Sequence, residues 1–361
     1  MGGCFSSNQD ANDAKQLPKK DYWEKGSYPH HPSILISDEF KFGDNLDHKG
    51  ITFTKDVETA HGVVQFSFRE LATATKNFCI ESFMGEGDFG CVYKGRLERS
   101  GQVVSVQHRH RTCDQGIIEF FKEVIKLSLF HHANLVNLIG YCAYGDHLLL
   151  VHEFVPLGSL KDHLHDLLPD QKPLDWNTRM KIAVGVARGL EYLHKTSNPP
   201  VVYRDLKPSN ILLDEGYHPK LSNFKLGKHT PFDNITSFPS FRVDGTYTHC
   251  APEGPIIFDS DVYSFGLIFL ELITGRKVID YTRPYEEQCL VYWARPLLKD
   301  RKKYAEMADP LLEGRYPPER LKEALVVAAM CIQEGIAARP DIRSVVAALT
   351  YIASSTYDPN A

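Results

Sequence analysis

YRDLKPSN, residues 203–210, is the stretch from which this chain is read. It runs directly into NILLDEG (210–216), and the order continues with NFK at 223–225, APE at 251–253, SDVYSFG at 260–266 and Arg339 far downstream. Upstream lies a glycine-rich stretch, GEGDFGCV at 85–92, of the form G-x-G-x-x-G-x-V. A glycine-rich turn alone is weak evidence, so its place ahead of this series matters more than its composition.

In this order and spacing the segments resemble those of a protein kinase, with YRDLKPSN in the place of the catalytic loop H-R-D-x-x-x-x-N. More narrowly, HHANLVNLIGYC (131–142), LGSLKDHLHDL (157–167), PLDWNTRMKIA (173–183), SNILLDEGYHPKLS (209–222) and ELITGRK (271–277) resemble the plant receptor-like cytoplasmic kinases of subfamily VII, a serine/threonine kinase family. The resemblance covers residues 66–358. It implies an α+β bilobal fold, with a small β-rich N-lobe over 66–153 and a larger helical C-lobe over 157–346, followed by a short tail over 347–361. It implies ATP and Mg²⁺ as ligands, Asp205 in the base position with Lys207 beside it, and Asn210 as a metal ligand. Around the nucleotide it places Gly85, Gly87, Gly90, Val92, Ser105, position 107 and Glu123, the backbone amides of the glycine loop folding over the phosphates. Arg204, Asp261 and the expected ion pair of Glu253 with Arg339 are assigned to holding the fold.

The chain departs from that pattern at two charges. Where active relatives read V-A-V-K in the third strand, this sequence reads VSVQ, so Gln107 replaces the phosphate-binding lysine, although Glu123 follows at 123 − 107 = 16 residues. A neutral amide can hydrogen-bond Glu123 but offers the phosphates no positive charge. His108 points to the opposite strand face, and Arg109, on the same face, lies two residues or ~6.5 Å along the strand. The expectation is therefore that no cation has moved into the gap. At the second site Asn223, followed by Phe224 and Lys225, replaces the aspartate of D-F-G that holds Mg²⁺. The Lys225 ammonium is a candidate to fill part of the vacated cation site. Tyr203 replaces the catalytic-loop histidine and is expected to keep a packing column with Phe224. Two electrostatic contributions of ~3 kcal/mol each are thus removed, ~10² in rate apiece. The expected protein is a pseudokinase with weakened ATP and Mg²⁺ binding; the alternatives are a weakly active serine/threonine kinase and an ATP-binding switch that transfers no phosphate.

Elsewhere the pattern is that of a globular chain. Its 361 residues, 43% hydrophobic and 24% charged, suffice for a sizeable core. A net charge of −5 and the lack of a basic stripe argue against nucleic acid as a partner. Met180, Ala183, Val184, Ala187 and Leu190 recur at helical spacing, and 261–275 reads as a central buried helix stopped by Gly275. CVYKG (91–95) and QVVSV (102–106) read as strands. Eight scattered cysteines without CxxC pairs suit a reducing compartment. Residues 1–60 read as a flexible tail, and its start, MGGCFSS, fits myristoylation of Gly2 with palmitoylation of Cys4 beside it. Two acyl chains would make a durable anchor where one would not. The expected location is the cytoplasmic face of the plasma membrane, with receptor kinases or active related kinases as partners. Between Glu253 and Asp261 only seven residues intervene, a shortened substrate-docking loop, and Ser237, Ser240 and Thr246 are candidate phosphorylation sites.

Overall fold

The structure is a computed structural model and describes residues 62–87, 90–110, 114–223, 249–254 and 257–357. Gly2, Cys4, Phe224, Lys225, Ser237, Ser240 and Thr246 lie outside the described residues.

Chain order in the N-lobe is β1 (Val64–Gln65), α1 (Phe68–Ala74), β2 (Phe83–Gly87), β3 (Gly90–Arg96), β4 (Val103–His110), α2 (Asp114–Ser128), β5 (Leu138–Tyr144) and β6 (His147–Glu153). The six strands form one sheet in the order β1-β5-β6-β4-β3-β2, with β1 parallel to β5 and the other pairs antiparallel. The lobe starts slightly before residue 66, because β1 already pairs with Gly140 and Tyr141. A helix not foreseen in the sequence reading precedes the expected strands. Ser67 caps α1, accepting from the Glu70 backbone N–H while the Glu70 carboxylate accepts from the Ser67 N–H at 2.9 Å.

The expected strands CVYKG and QVVSV lie in β3 and β4, where Val92 pairs with Gln107 and Lys94 with Ser105. Side chains alternate across β4. Val104 and Val106 are fully buried in a small core with Leu71, Leu149 and Val151, whereas Ser105, Gln107 and Arg109 face the cleft between the lobes. His108 takes the far face, as its position in the strand requires. It shares a 2.9 Å hydrogen bond with His147 and lies against Phe78.

The C-lobe contains α3 (Leu160–Leu164), α4 (Trp176–Glu191), the hairpin β7 (Ile211–Asp214) and β8 (His218–Leu221), α5 (Phe258–Thr274), α6 (Leu290–Leu298), α7 (Pro318–Cys331) and α8 (Ile342–Ala353). Asp175 caps α4 by accepting from the Thr178 N–H at 2.7 Å. The expected stripe Met180, Ala183, Val184, Ala187 and Leu190 is buried; each large apolar side chain so placed stabilises the fold by about 1.5–3 kcal/mol. Helix α5 starts three residues before Asp261 and is buried from Ser260 to Thr274. It ends at Gly275, whose φ of 66° is the left-handed cap glycine supplies, and where a Cβ would collide with the Asp309 carboxylate. One boundary needs correction. The residues expected as a tail from 347 onward continue α8 to Ala353, and Tyr357 exchanges two 2.9 Å hydrogen bonds with Asn177 on α4. The apolar positions Val345, Leu349 and Ile352 require this, since they are buried in the C-lobe core.

Candidate nucleotide cleft

The loop carrying Tyr203 to Asn210 is positioned by the first turn of α5. Asp261 is almost fully buried and its two oxygens accept the backbone N–H groups of Tyr203 (2.7 Å) and Arg204 (2.8 Å), with His194 adding a third contact at 2.8 Å. Arg204 adopts φ 75°, a costly left-handed conformation for a residue with a Cβ. The two anchored amides hold it there, and Asp205 follows. Its carboxylate lies 3.2 Å from the Lys207 ammonium, and the Asn210 amide donates both to it (3.1 Å) and to the Asp205 carbonyl (2.8 Å). Asp205, Lys207 and Asn210 therefore form one preorganised cluster.

That cluster is tied to position 223. The Ser222 N–H and hydroxyl both donate to the Asn210 carbonyl, at 2.9 and 3.0 Å, while the Tyr203 hydroxyl donates to the Ser222 carbonyl. The tyrosine thus does more than pack, and burial raises its hydroxyl well above the ordinary phenol range, so it stays a donor. Asn223 has φ 58°, a conformation asparagine tolerates better than most residues.

Between the lobes lies a cleft of about 340 Å³. Val92, Leu150, Val155 and Leu212 give it apolar walls, and Gly85, Ser105, Gln107, Glu123, Ser222 and Asn223 also line it. A flat heterocycle fits between such walls. Gly87 pairs with Gly90 where β2 meets β3, and a Cβ on Gly90 would run into the His108 carbonyl. Asp205, Lys207 and Asn210 stand beside the cleft, joined to it through Ser222 and Asn223. Arg204, Asp261, Glu253 and Arg339 serve the C-lobe: the Arg339 guanidinium forks onto Glu253, with Nη2 2.9 Å from Oε2, and also donates to the carbonyls of Asp259 and Gln333.

The cleft's electrostatics overturn one sequence expectation. Glu123 on α2 is held by Arg109, both guanidinium Nη atoms donating to the two carboxylate oxygens, one at 2.8 Å. No hydrogen bond joins Gln107 to Glu123. Distance along the strand had argued against Arg109, but β4 and α2 converge so that the longer side chain reaches the carboxylate. The signal was present in the period-2 phase that puts positions 105, 107 and 109 on one face. Among the described residues lining the cleft, Arg109 is the one permanent cation. His152 is neutral there, since burial and, to a lesser degree, Arg109 pull it down to about 4. Glu153 is paired with Lys220 at 3.0 Å.

Would the site take a divalent ion? The two positions that would hold it, Asn210 and Asn223, carry amide oxygens and no negative charge, whereas hard cations are held best by carboxylates. Among the described residues, no group of three or more His, Cys, Asp or Glu side chains is arranged to bind a metal.

A two-lobed fold with its cleft at the lobe junction and an aspartate-bearing loop beside it defines a protein kinase domain, and the family model described as "Protein kinase domain" matches residues 78–347. Among proteins of Arabidopsis thaliana, the chain is similar to serine/threonine-protein kinase PBL27, with 57% identity over 370 residues, covering 100% of this chain and 72% of that protein. It is likewise similar to serine/threonine-protein kinase PBS1, with 53% identity over 371 residues, 99% of this chain and 81% of the relative. Probable serine/threonine-protein kinase PBL7 is 58% identical over 311 residues, 85% of this chain and 82% of its own length. The chain belongs to the protein kinase family and, within it, to the receptor-like cytoplasmic serine/threonine kinases of subfamily VII.

Proposed function

We propose that this chain is a pseudokinase of its family: a membrane-anchored scaffold or decoy, working beside receptor kinases or active related kinases at the cytoplasmic face of the plasma membrane. The observation that carries the reading is the pair of neutral amides, Gln107 and Asn223, lining the cleft at the positions of the phosphate lysine and the metal aspartate. Phosphoryl transfer depends on positioning and on charge stabilisation of the transferring group. Loss of both charges removes about 3 kcal/mol at each site, and Mg²⁺ binding is weakened with them. The N-terminal MGGCFSS supports the anchor through acylation of Gly2 and Cys4.

A weakly active serine/threonine kinase is the second reading. It is favoured by the intact arrangement of Asp205 with Lys207 and Asn210. The two readings separate in one assay of phosphate transfer to a generic protein substrate. A pseudokinase gives transfer no higher than its Asp205→Ala variant, and Gln107→Lys combined with Asn223→Asp restores activity by ~10² or more. Wild-type transfer at the level of an active relative, abolished by Asp205→Ala, would sink the proposal. For the anchor, Gly2→Ala is expected to move the protein from membrane to cytosol; unchanged membrane retention rejects acylation as its basis.

A further inference from the structure

We infer that the cleft binds nucleoside polyphosphates without a divalent metal ion, with Arg109 supplying the cation that faces the phosphates. This deepens the pseudokinase reading and rests on its assignment of the cleft as a nucleotide site.

A nucleoside triphosphate brings several negative charges, and an active kinase site meets them with one lysine and a metal that is itself held by an aspartate. Lysine, helix glutamate and aspartate together sum to −1, so the divalent ion is needed to make the site attractive to phosphate. Here the corresponding groups are Arg109, Glu123 and the neutral Asn223, which sum to zero. The site is one unit more positive than its active counterpart before any metal enters, and it has lost the anion that would recruit one. Replacing the metal aspartate by Asn223 and moving the cation to Arg109 are therefore complementary changes: the first lowers the need for Mg²⁺, the second provides the phosphates with a counter-charge.

Geometry supports the assignment. Arg109 shares a strand face with Ser105 and Gln107 and lines the same cleft as Gly85 and Asn223. Its side chain is only 15% exposed, so its field is weakly screened. The bidentate clasp on Glu123 fixes the guanidinium in place, and an arginine stays charged at any working pH. With His152 neutral and Glu153 matched by Lys220, Arg109 is the one cation among the described lining residues, beside its partner Glu123 and the carboxylate of Glu86. Gln107, two residues away, is an amide donor suited to a phosphate oxygen.

The test measures binding of ATP and of adenosine to the full-length protein by calorimetry, in EDTA and in MgCl₂, for wild type, Arg109→Gln and Glu123→Gln. The expected result is that wild type binds ATP in EDTA at least about tenfold more tightly than adenosine, and that Mg²⁺ adds little. Arg109→Gln abolishes the preference for ATP while adenosine binds as before, which also shows that the variant is folded. Glu123→Gln, which keeps the cation and removes its carboxylate, binds ATP in EDTA at least as tightly as wild type. The inference is overturned if ATP binds only with Mg²⁺, if Arg109→Gln keeps the ATP preference, or if neither ATP nor adenosine binds. Phosphate transfer by the wild type in MgCl₂ would reject the pseudokinase reading and leave metal-free binding standing, so the two fail separately.

Discussion

The Arg109 guanidinium on β4 clasps the Glu123 carboxylate on α2 with both Nη atoms, two residues past the position where a kinase of this family is expected to carry its lysine. The link from sheet to helix is thus made by the planar fork of an arginine at position 109.

This clasp is expected to contribute to stability as a coupled pair. A double-mutant cycle of Arg109→Ala and Glu123→Ala, read by urea denaturation, should give a coupling energy of about 1–3 kcal/mol, as for a partly buried bidentate pair. The same cycle between Gln107→Ala and Glu123→Ala should give a value near zero. Equal coupling in the two cycles would contradict the assignment of Glu123 to Arg109.

The pair formed by Arg339 and Glu253 is more deeply placed, since the arginine side chain is fully buried. Arg339→Met should cost about 3–5 kcal/mol, because a carboxylate is left without its partner and the Asp259 and Gln333 carbonyls lose a donor. Arg339→Lys should recover little of this, as an ammonium cannot serve the same fork of acceptors. Thermal denaturation checks both, and a near-neutral Arg339→Lys would show that charge alone matters.

Glu271, on α5, is buried between His165 (3.0 Å) and His249 (2.8 Å), and it also accepts the Val278 N–H at 3.1 Å. Burial works to raise its carboxyl, but His249 and His165 together outweigh burial and hold it at about 2, against 4.5 for the free group. A carboxyl depressed in the fold contributes stability above its unfolded value and loses it as pH falls through the folded one. Glu271→Gln should therefore cost about 3–5 kcal/mol near neutrality, with the gap to wild type closing between pH 4.5 and 2. A pH-independent gap would show that the hydrogen bonds matter and the charge does not.

His152 also loses stability toward acid, but in a higher pH window. Free histidine takes up its proton near 6.5, whereas the half-buried His152 ring stays neutral down to about 4. The unfolded chain therefore binds a proton that the folded chain refuses, so stability is full above pH 6.5 and falls as pH drops toward 4. The stability difference between wild type and His152→Gln should be flat above 6.5 and slope below it. Titration of the His152 ring by NMR should show a midpoint near 4 that moves up in Arg109→Gln by less than the shift burial alone maintains. A midpoint near 6.5 in wild type would remove the basis for this prediction.

The sequence alone determined the order of parts. Strand and helix identities followed from period-2 and period-3.6 burial, as in CVYKG and the Met180 to Leu190 stripe, because those periods are local geometry that short windows carry. It also determined that neutral amides, Gln107 and Asn223, stand where the resemblance leads one to expect charges. Tertiary structure decided where the remaining charges went. Arg109 and Glu123 are 14 residues apart, and only the packing of α2 against the sheet brings them into contact. Sequence spacing measures distance along a strand, not the convergence of two elements. The same holds for Tyr203, whose hydroxyl finds the Ser222 carbonyl 19 residues on, and for the last helix, whose apolar face meets α4 only once the C-lobe has closed around it. Which residue stands at each position could be read one by one; which residue each of them meets depended on contacts that form only in the folded protein.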